Sequence, residues 1–236
     1  VYDRFNTSLI RSLDTMGTDY VDLFLLHSQL IENDHESQKP DSSFVATGNL
    51  TTLKSFYDAV VPAMETLKKE GKILNWGIGP GQEEAVCDVI NSTTPPDAIQ
   101  CGVNVLNSLG AIGYASIKPN PKLVLDESKK KDIPILAIRA VQAGALTSKM
   151  DREPHPSGFD HPDFADYEKA QPFRELAEDW GESPASLAHR YALSIDKVGS
   201  VILGIKNREE LIECLEAEKK GRLDTEQILT LENLFN

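Results

Sequence analysis

The residues best suited to chemistry stand where apolar runs end. His27 closes the run Tyr20-Val21-Asp22-Leu23-Phe24-Leu25-Leu26. A histidine at the C-terminal end of a strand is a candidate functional residue, since α/β barrels keep their chemistry at that end. The competing reading is a satisfied core histidine. Gln100 and Asn104 punctuate the apolar stretch from Ala98 to Leu106. Their amides could hold a ligand or simply hydrogen-bond inside a packed interior. Arg139 follows the apolar run from Ile133 and needs a partner, either a carboxylate or a bound anion. Gly204 precedes Lys206 and Arg208 at a helix start. The free N–H groups and positive dipole end of such a helix suit phosphate. Two cations beside it would suit a further phosphate group. A plain solvated helix start is the competing reading.

Other polar groups point to less. His35, His155, His161 and His189 fall in loops or on a helix and read as structural or solvated. Cys87, Cys101 and Cys214 form no C-x-x-C pair and no metal-ligand spacing, so no metal is expected. Sparse, unpaired cysteines fit a reducing compartment, and the expected location is cytoplasmic. The net charge of −13 and the lack of a basic stripe argue against nucleic acid. The short runs Lys68-Lys69 and Lys129-Lys130-Lys131 sit among carboxylates as solvated helix faces. No apolar run has membrane-spanning length.

The elements that must position these residues alternate. Phe5, Leu9, Leu13 and Met16 recur at helical spacing, and Gly17 serves as a C-cap. The strand ending at His27 follows. Residues 28–55 read as one long polar loop. A helix then runs to Glu70, started or kinked by Pro62 and stopped by Gly71. Glu65 and Lys69 stand one turn apart on it. Ile73 to Gly79 is a strand and Glu83 to Ile90 a helix. Ala98 to Leu106 is a strand, Lys122 to Lys130 a helix, and Ile133 to Ala140 a strand. Residues 147–170 read as a second polar loop. Phe173 to Trp180 is a helix closed by Gly181. Ser183-Pro184 starts another, by an N-cap serine and a proline at the first helical position. Ser200 to Ile205 is a strand and Arg208 to about Glu218 a helix. Asp224 and Gln227 form a capping box for the last helix. Strands alternating with helices predict a parallel sheet covered by helices. Five strands are expected, against the eight of a complete α/β barrel.

The ordered motifs resemble the aldo-keto reductase family over nearly the whole chain. Ser12-Leu13 with Gly17-Thr18-Asp19-Tyr20-Val21-Asp22-Leu23 and His27 is similar to that family's segment around its fourth strand. Lys69-Glu70-Gly71-Lys72-Ile73 and Trp76-Gly77-Ile78-Gly79 are similar to the approach to its fifth strand. Ala98-Ile99-Gln100 with Asn104 resembles the sixth. Arg139 to Thr147 resembles the loop after the seventh. Ser183-Pro184-Ala185, Val201-Ile202-Leu203-Gly204 and the helix that follows resemble the remainder.

The resemblance implies one domain over residues 1–236, a (β/α)₈ TIM barrel with its fourth to eighth strands present. It implies an oxidoreductase that uses NADPH, or NADH, to reduce an aldehyde or ketone to an alcohol. It assigns substrate orientation to His27. Cofactor contact falls to Gln100, Arg139, Gly144, Leu146, Gly204, Lys206, Arg208 and Glu210. The family's catalytic aspartate, tyrosine and lysine find no match among these motifs. The expectation is therefore an upstream segment before Val1, and a chain inactive by itself. The alternative is an NADPH-binding regulatory or interaction subunit without turnover. Four positions depart from the family pattern: Gly79-Pro80 in place of Ser-Asn, Ile138 in place of an aromatic, and Cys214 in place of an asparagine.

Overall fold

The computed structural model describes residues 1–33, 50–113, 119–150 and 162–235. Helix α1 (Tyr2–Met16) buries Leu9 and Leu13. It ends at Gly17, whose left-handed φ of 67° lets its N–H turn back to the Asp14 carbonyl. Strand β1 (Val21–Leu26) leads to His27. Residues 28–55 are not all loop. Strands β2 (Gln29–Ile31) and β3 (Leu50–Thr52) pair in parallel, Gln29 opposite Leu50. Three-residue strands carry too little alternation for sequence periodicity to register them. A 2.7 Å hydrogen bond also links the hydroxyl of Ser28, just before β2, to that of Thr51 within β3.

A short turn, α2 (Leu53–Ser55), runs through a π-helical turn (Phe56–Val60) into α3 (Val61–Lys69). Pro62 explains the irregularity: it has no N–H for the carbonyl one turn back, so the helix widens just before it. Strand β4 (Ile73–Ile78) follows, then α4 (Glu83–Ile90) and β5 (Ala98–Gly102). Next come α5 (Pro121–Lys131) and β6 (Ile135–Ile138). The segment 147–170 contains α6 (Pro162–Lys169), which the sequence pattern misses because the side chain it buries is Asp163, not an apolar one. Helices α7 (Gln171–Asp179) and α8 (Pro184–Ser194) lead to β7 (Val198–Val201). The chain continues through α9 (Arg208–Lys220) and α10 (Thr225–Glu232). Ser183 caps α8, and Asp224 with Gln227 forms the capping box of α10, both as expected.

The five expected strands form one parallel sheet in the order β1-β4-β5-β6-β7. A single row of side chains crosses all of them: Leu26, Ile78, Ile99, Ile135 and Val198 stand in register. All five are buried. This row faces the helices. On the same face Phe24 meets Phe5 of α1 edge-on at 6.0 Å, and Trp76 meets Phe56 at 6.2 Å. The Trp76 indole donates to Glu65 at 2.6 Å, so Glu65 serves the core rather than pairing with Lys69 one turn along. The opposite face is more open. Leu23, Leu25, Gln100, Leu136 and Ile138 are only half-buried there.

β1 and β7 are the outer strands, and among the described residues neither has a neighbour on its outer side. Apolar side chains are exposed near both: Ile10, Met16 and Tyr20 by β1; Ile202, Ile205, Leu211, Ile212 and Leu215 by β7. Unpaired edges beside apolar patches drive association. The purified chain is expected to self-associate in light-scattering-coupled sizing. The double substitution I212K/L215K should shift it toward monomer. A monodisperse parent monomer would contradict this.

Candidate functional site

The register fixes what emerges at the C-terminal ends of the strands. Leu26, Ile78 and Ile99 share one level, so His27, Gly79 and Gln100 share the next. The Gly79 N–H donates to the Leu26 carbonyl at 3.0 Å, which carries the alignment one residue past the strand ends. By alternation these three positions turn to the open face. His27 and Gln100 lie two strands apart, roughly 10 Å. Between them Gly79 contributes no side chain, and a Cβ there would come within 3.9 Å of the Gln100 Oε1. His27 is exposed and Gln100 half-buried. Among the described residues neither side chain has a hydrogen-bond partner. The site therefore has a floor of glycine flanked by two unengaged polar groups.

Arg139 is placed differently. Its guanidinium donates to the Asp163 carboxylate at 2.9 Å, with 15% and 3% of the two side chains exposed. Of the two partners considered from sequence, the structure supplies the carboxylate. Asp163 also accepts the Ala111 N–H at 3.2 Å. Gly110 is required beside it: its φ is 51°, and a Cβ would fall 2.0 Å from the Asp163 Oδ1. Asn104 is buried, and its amide donates to the carbonyls of Ser108 (2.8 Å) and Arg139 (3.2 Å). Asp166 accepts from the Ser108 hydroxyl and from Gln142, each at 2.6 Å. These bonds hold Arg139, Gln142 and Ala143 at φ values of 59°, 44° and 53°, an unfavourable region for residues with a Cβ. Ser108, Gln142, Asp163 and Asp166 escaped the sequence analysis. Proline followed by aspartate at 162–163, a helix-start signal, could have found the last two.

The turn that follows is similarly closed. Gly144 has a φ of 96° and Leu146 is fully buried. The N–H groups of Gly144, Ala145, Leu146 and Thr147 all donate to carbonyls within the turn. Beyond β7, Gly204, Lys206 and Arg208 are exposed, with open space at Gly204. Asn207 caps α9 by accepting the Glu210 N–H at 2.9 Å. Glu210 folds back and accepts the Lys206 N–H at 2.9 Å. The first two N–H groups of α9, on Arg208 and Glu209, have no acceptor within the helix. The Arg208 guanidinium has no ion-pair partner among the described residues.

His189 is buried in α8, with its Nε2 3.3 Å from the Cys214 Sγ on α9. His35, His155 and His161 lie outside the described residues. Among the described residues no three His, Cys, Asp or Glu side chains converge to hold a metal ion. No helix there is long and apolar enough to cross a membrane. The described tyrosines are distant from His27 or otherwise engaged. Tyr20 stands at the opposite end of β1, about 20 Å away. The hydroxyls of Tyr2, Tyr57, Tyr167 and Tyr191 bond to Glu70, Asp88, the Ser148 carbonyl and Glu232.

The model of the Aldo/keto reductase family matches residues 2–235. The chain is 25% identical over 228 residues to the Bacillus subtilis protein named Uncharacterized oxidoreductase YqkF, covering 94% of this chain and 63% of that one. It thus spans a little under two thirds of this curated relative. The apo form of the aldo-keto reductase AKR11C1 from Bacillus halodurans superposes with a TM-score of 0.70 at 19% identity, over 99% of this chain and 68% of that one. The glycerol dehydrogenase AKR11B4 from Gluconobacter oxydans does so with a TM-score of 0.68 at 20% identity, over 99% and 64%. At these identities the structural likeness speaks for the fold alone.

The Arg139–Asp163 pair yields a stability test. D163N keeps the acceptor for Ala111 but leaves a guanidinium buried without its counter-charge. The expected cost is about 3 kcal/mol in urea unfolding. In the double variant R139M/D163N the stranded charge is gone, and stability should return to within about 1 kcal/mol of the parent. A neutral D163N would show that water already screens the pair.

Proposed function

The chain belongs to the aldo/keto reductase family, and from that premise we propose that it forms the cofactor-binding part of an oxidoreductase acting on a small carbonyl compound. Its fold is that of the family's barrels, five parallel strands with their helices. The observation that carries the reading is the pair His27 and Gln100, unengaged on the open face at the C-terminal strand ends. Active sites of α/β barrels lie at that end. Polar groups left unpaired by the protein are available to a ligand.

NADPH, or NADH, would supply the hydride that converts an aldehyde or ketone into an alcohol. Gln100 suits the nicotinamide carboxamide, since an amide side chain can both donate and accept. The glycine at 79 leaves room for a flat ring between Gln100 and His27. His27 suits the substrate oxygen, to which an imidazole N–H can donate. At the other end of the site, the N–H groups at the start of α9 and Arg208, which has no ion-pair partner among the described residues, suit phosphate, and Arg208 with Lys206 would favour the 2′-phosphate of NADPH. Glu210 opposes an anion there while it caps its own helix, so binding would require its carboxylate to turn away or to find a donor on the ligand. Arg139, Gly144 and Leu146 would then act by shaping the turn, since their polar groups are already paired.

A proton donor is a separate requirement of carbonyl reduction. Each described tyrosine stands at the far end of β1 or has its hydroxyl engaged by another group, so we propose that this chain alone binds cofactor without turnover. The experiment measures both. NADPH binding is followed by its nicotinamide fluorescence, and NADPH oxidation by absorbance with a panel of small aldehydes. The parent chain should bind and not turn over. R208A should weaken NADPH about tenfold while changing NADH little. Sustained oxidation would overturn the claim of inactivity. An unchanged preference in R208A would remove the arginine from the phosphate site.

A further inference from the structure

α8 and α9 bring a thiol and an imidazole together on the outer layer of the fold. The Cys214 Sγ is 3.3 Å from the His189 Nε2. His189 is only 6% exposed, and its Nδ1 is buried without a hydrogen-bond partner among the described residues. Burial lowers the imidazole pKa, against a smaller opposing effect of Glu213, so the ring is neutral at pH 7 and carries one N–H. A proton on Nδ1 would be a buried donor with no acceptor, the costlier kind of orphan. The tautomer that avoids it places the proton on Nε2, aimed at sulfur. A neutral thiol gains little from that N–H, because its sulfur is a weak acceptor. A thiolate gains much more from a charge-assisted bond.

The other two thiols lack such a donor. Cys101 is fully buried and directs its S–H at backbone carbonyls. Cys87 is half-buried beside Glu127, Glu84 and Glu83, and burial with these charges pushes it up to about 11. Cys214 also feels burial, then Glu213 and Glu210, which raise it.

We infer that Cys214 is a covalent modification site for soft electrophiles of the α,β-unsaturated carbonyl class, with His189 as the residue that positions and stabilises its thiolate. The thiol gives its proton to water while the Nε2–H holds the sulfur anion. Sulfur then bonds to the β-carbon, the C=C pair moves to the carbonyl as an enolate, and the enolate takes a proton from water. The result is a net addition that needs no oxidant and expels no leaving group. Nothing in this chemistry depends on the proposed nicotinamide cofactor.

The test treats the intact chain with substoichiometric N-ethylmaleimide and maps the label by peptide mass spectrometry over time. Cys214 should be labelled first, about tenfold faster than Cys87. H189Q, whose side-chain amide can still present an N–H, should keep the rate within about twofold. H189L should lose about tenfold. First labelling of Cys87 or Cys101 would overturn the assignment of the site. Parent-like labelling in H189L would overturn the role of His189. If H189L does not fold, the order of labelling in the parent and the rate in H189Q decide.

Discussion

One row of aliphatic side chains carries the architecture. Leu26, Ile78, Ile99, Ile135 and Val198 lie side by side across five parallel strands, each buried against the helices. Burying one such side chain contributes about 2 kcal/mol. Slipping any strand by one residue would turn its member of the row to the open face and break the continuous row on the core face. That penalty locks the register. The locked register places His27, Gly79 and Gln100 on one level. The candidate site is thus a by-product of core packing one residue earlier.

Around that rigid level, polar groups divide into two kinds. Those after β5 and β6 are consumed by structure. Arg139, Asp163, Asn104, Ser108, Gln142 and Asp166 satisfy one another and hold a turn whose backbone is unfavourable at Arg139, Gln142 and Ala143. Those after β1, in β5 and at the start of α9 are left over. Among the described residues His27, Gln100 and Arg208 have no such partners. A buried polar group without a partner is costly, whereas a solvated one is available. The division explains why the unengaged set, and not the most charged cluster, carries the functional reading.

The same division applies to the outer layer. His189 is buried with one nitrogen unpaired and the other directed at a thiol. A core histidine would normally satisfy both nitrogens through backbone or water. Packing of α8 on α9 therefore leaves a chemically directional contact between two helices, and the chemistry of that contact belongs to sulfur.

Much of this was legible in the residues themselves. Helical spacing, Gly17, Ser183-Pro184 and the Asp224–Gln227 box act locally, within one turn of backbone, so sequence alone determined those helices and their ends. The first four strands of the sheet were legible for the same reason, each being an apolar run between breakers; β7 (Val198–Val201) lies earlier than the expected Ser200 to Ile205, because it contains Gly199 and Ser200 and is defined by its pairing with β6. The ordered motifs also pointed to the family. What the sequence could not decide were features that depend on distant partners. The pairing of β2 with β3 joins two three-residue segments too short to show a period. Helix α6 was hidden because it buries a carboxylate, and that burial makes sense only with Arg139 supplied from another strand. Arg139 itself could have met an anion or an acid, and Asn104 and Gln100 looked alike. Only the folded chain separated them, because hydrogen-bond satisfaction is settled by which groups arrive within about 3 Å, and that distance is set by packing rather than by position along the chain.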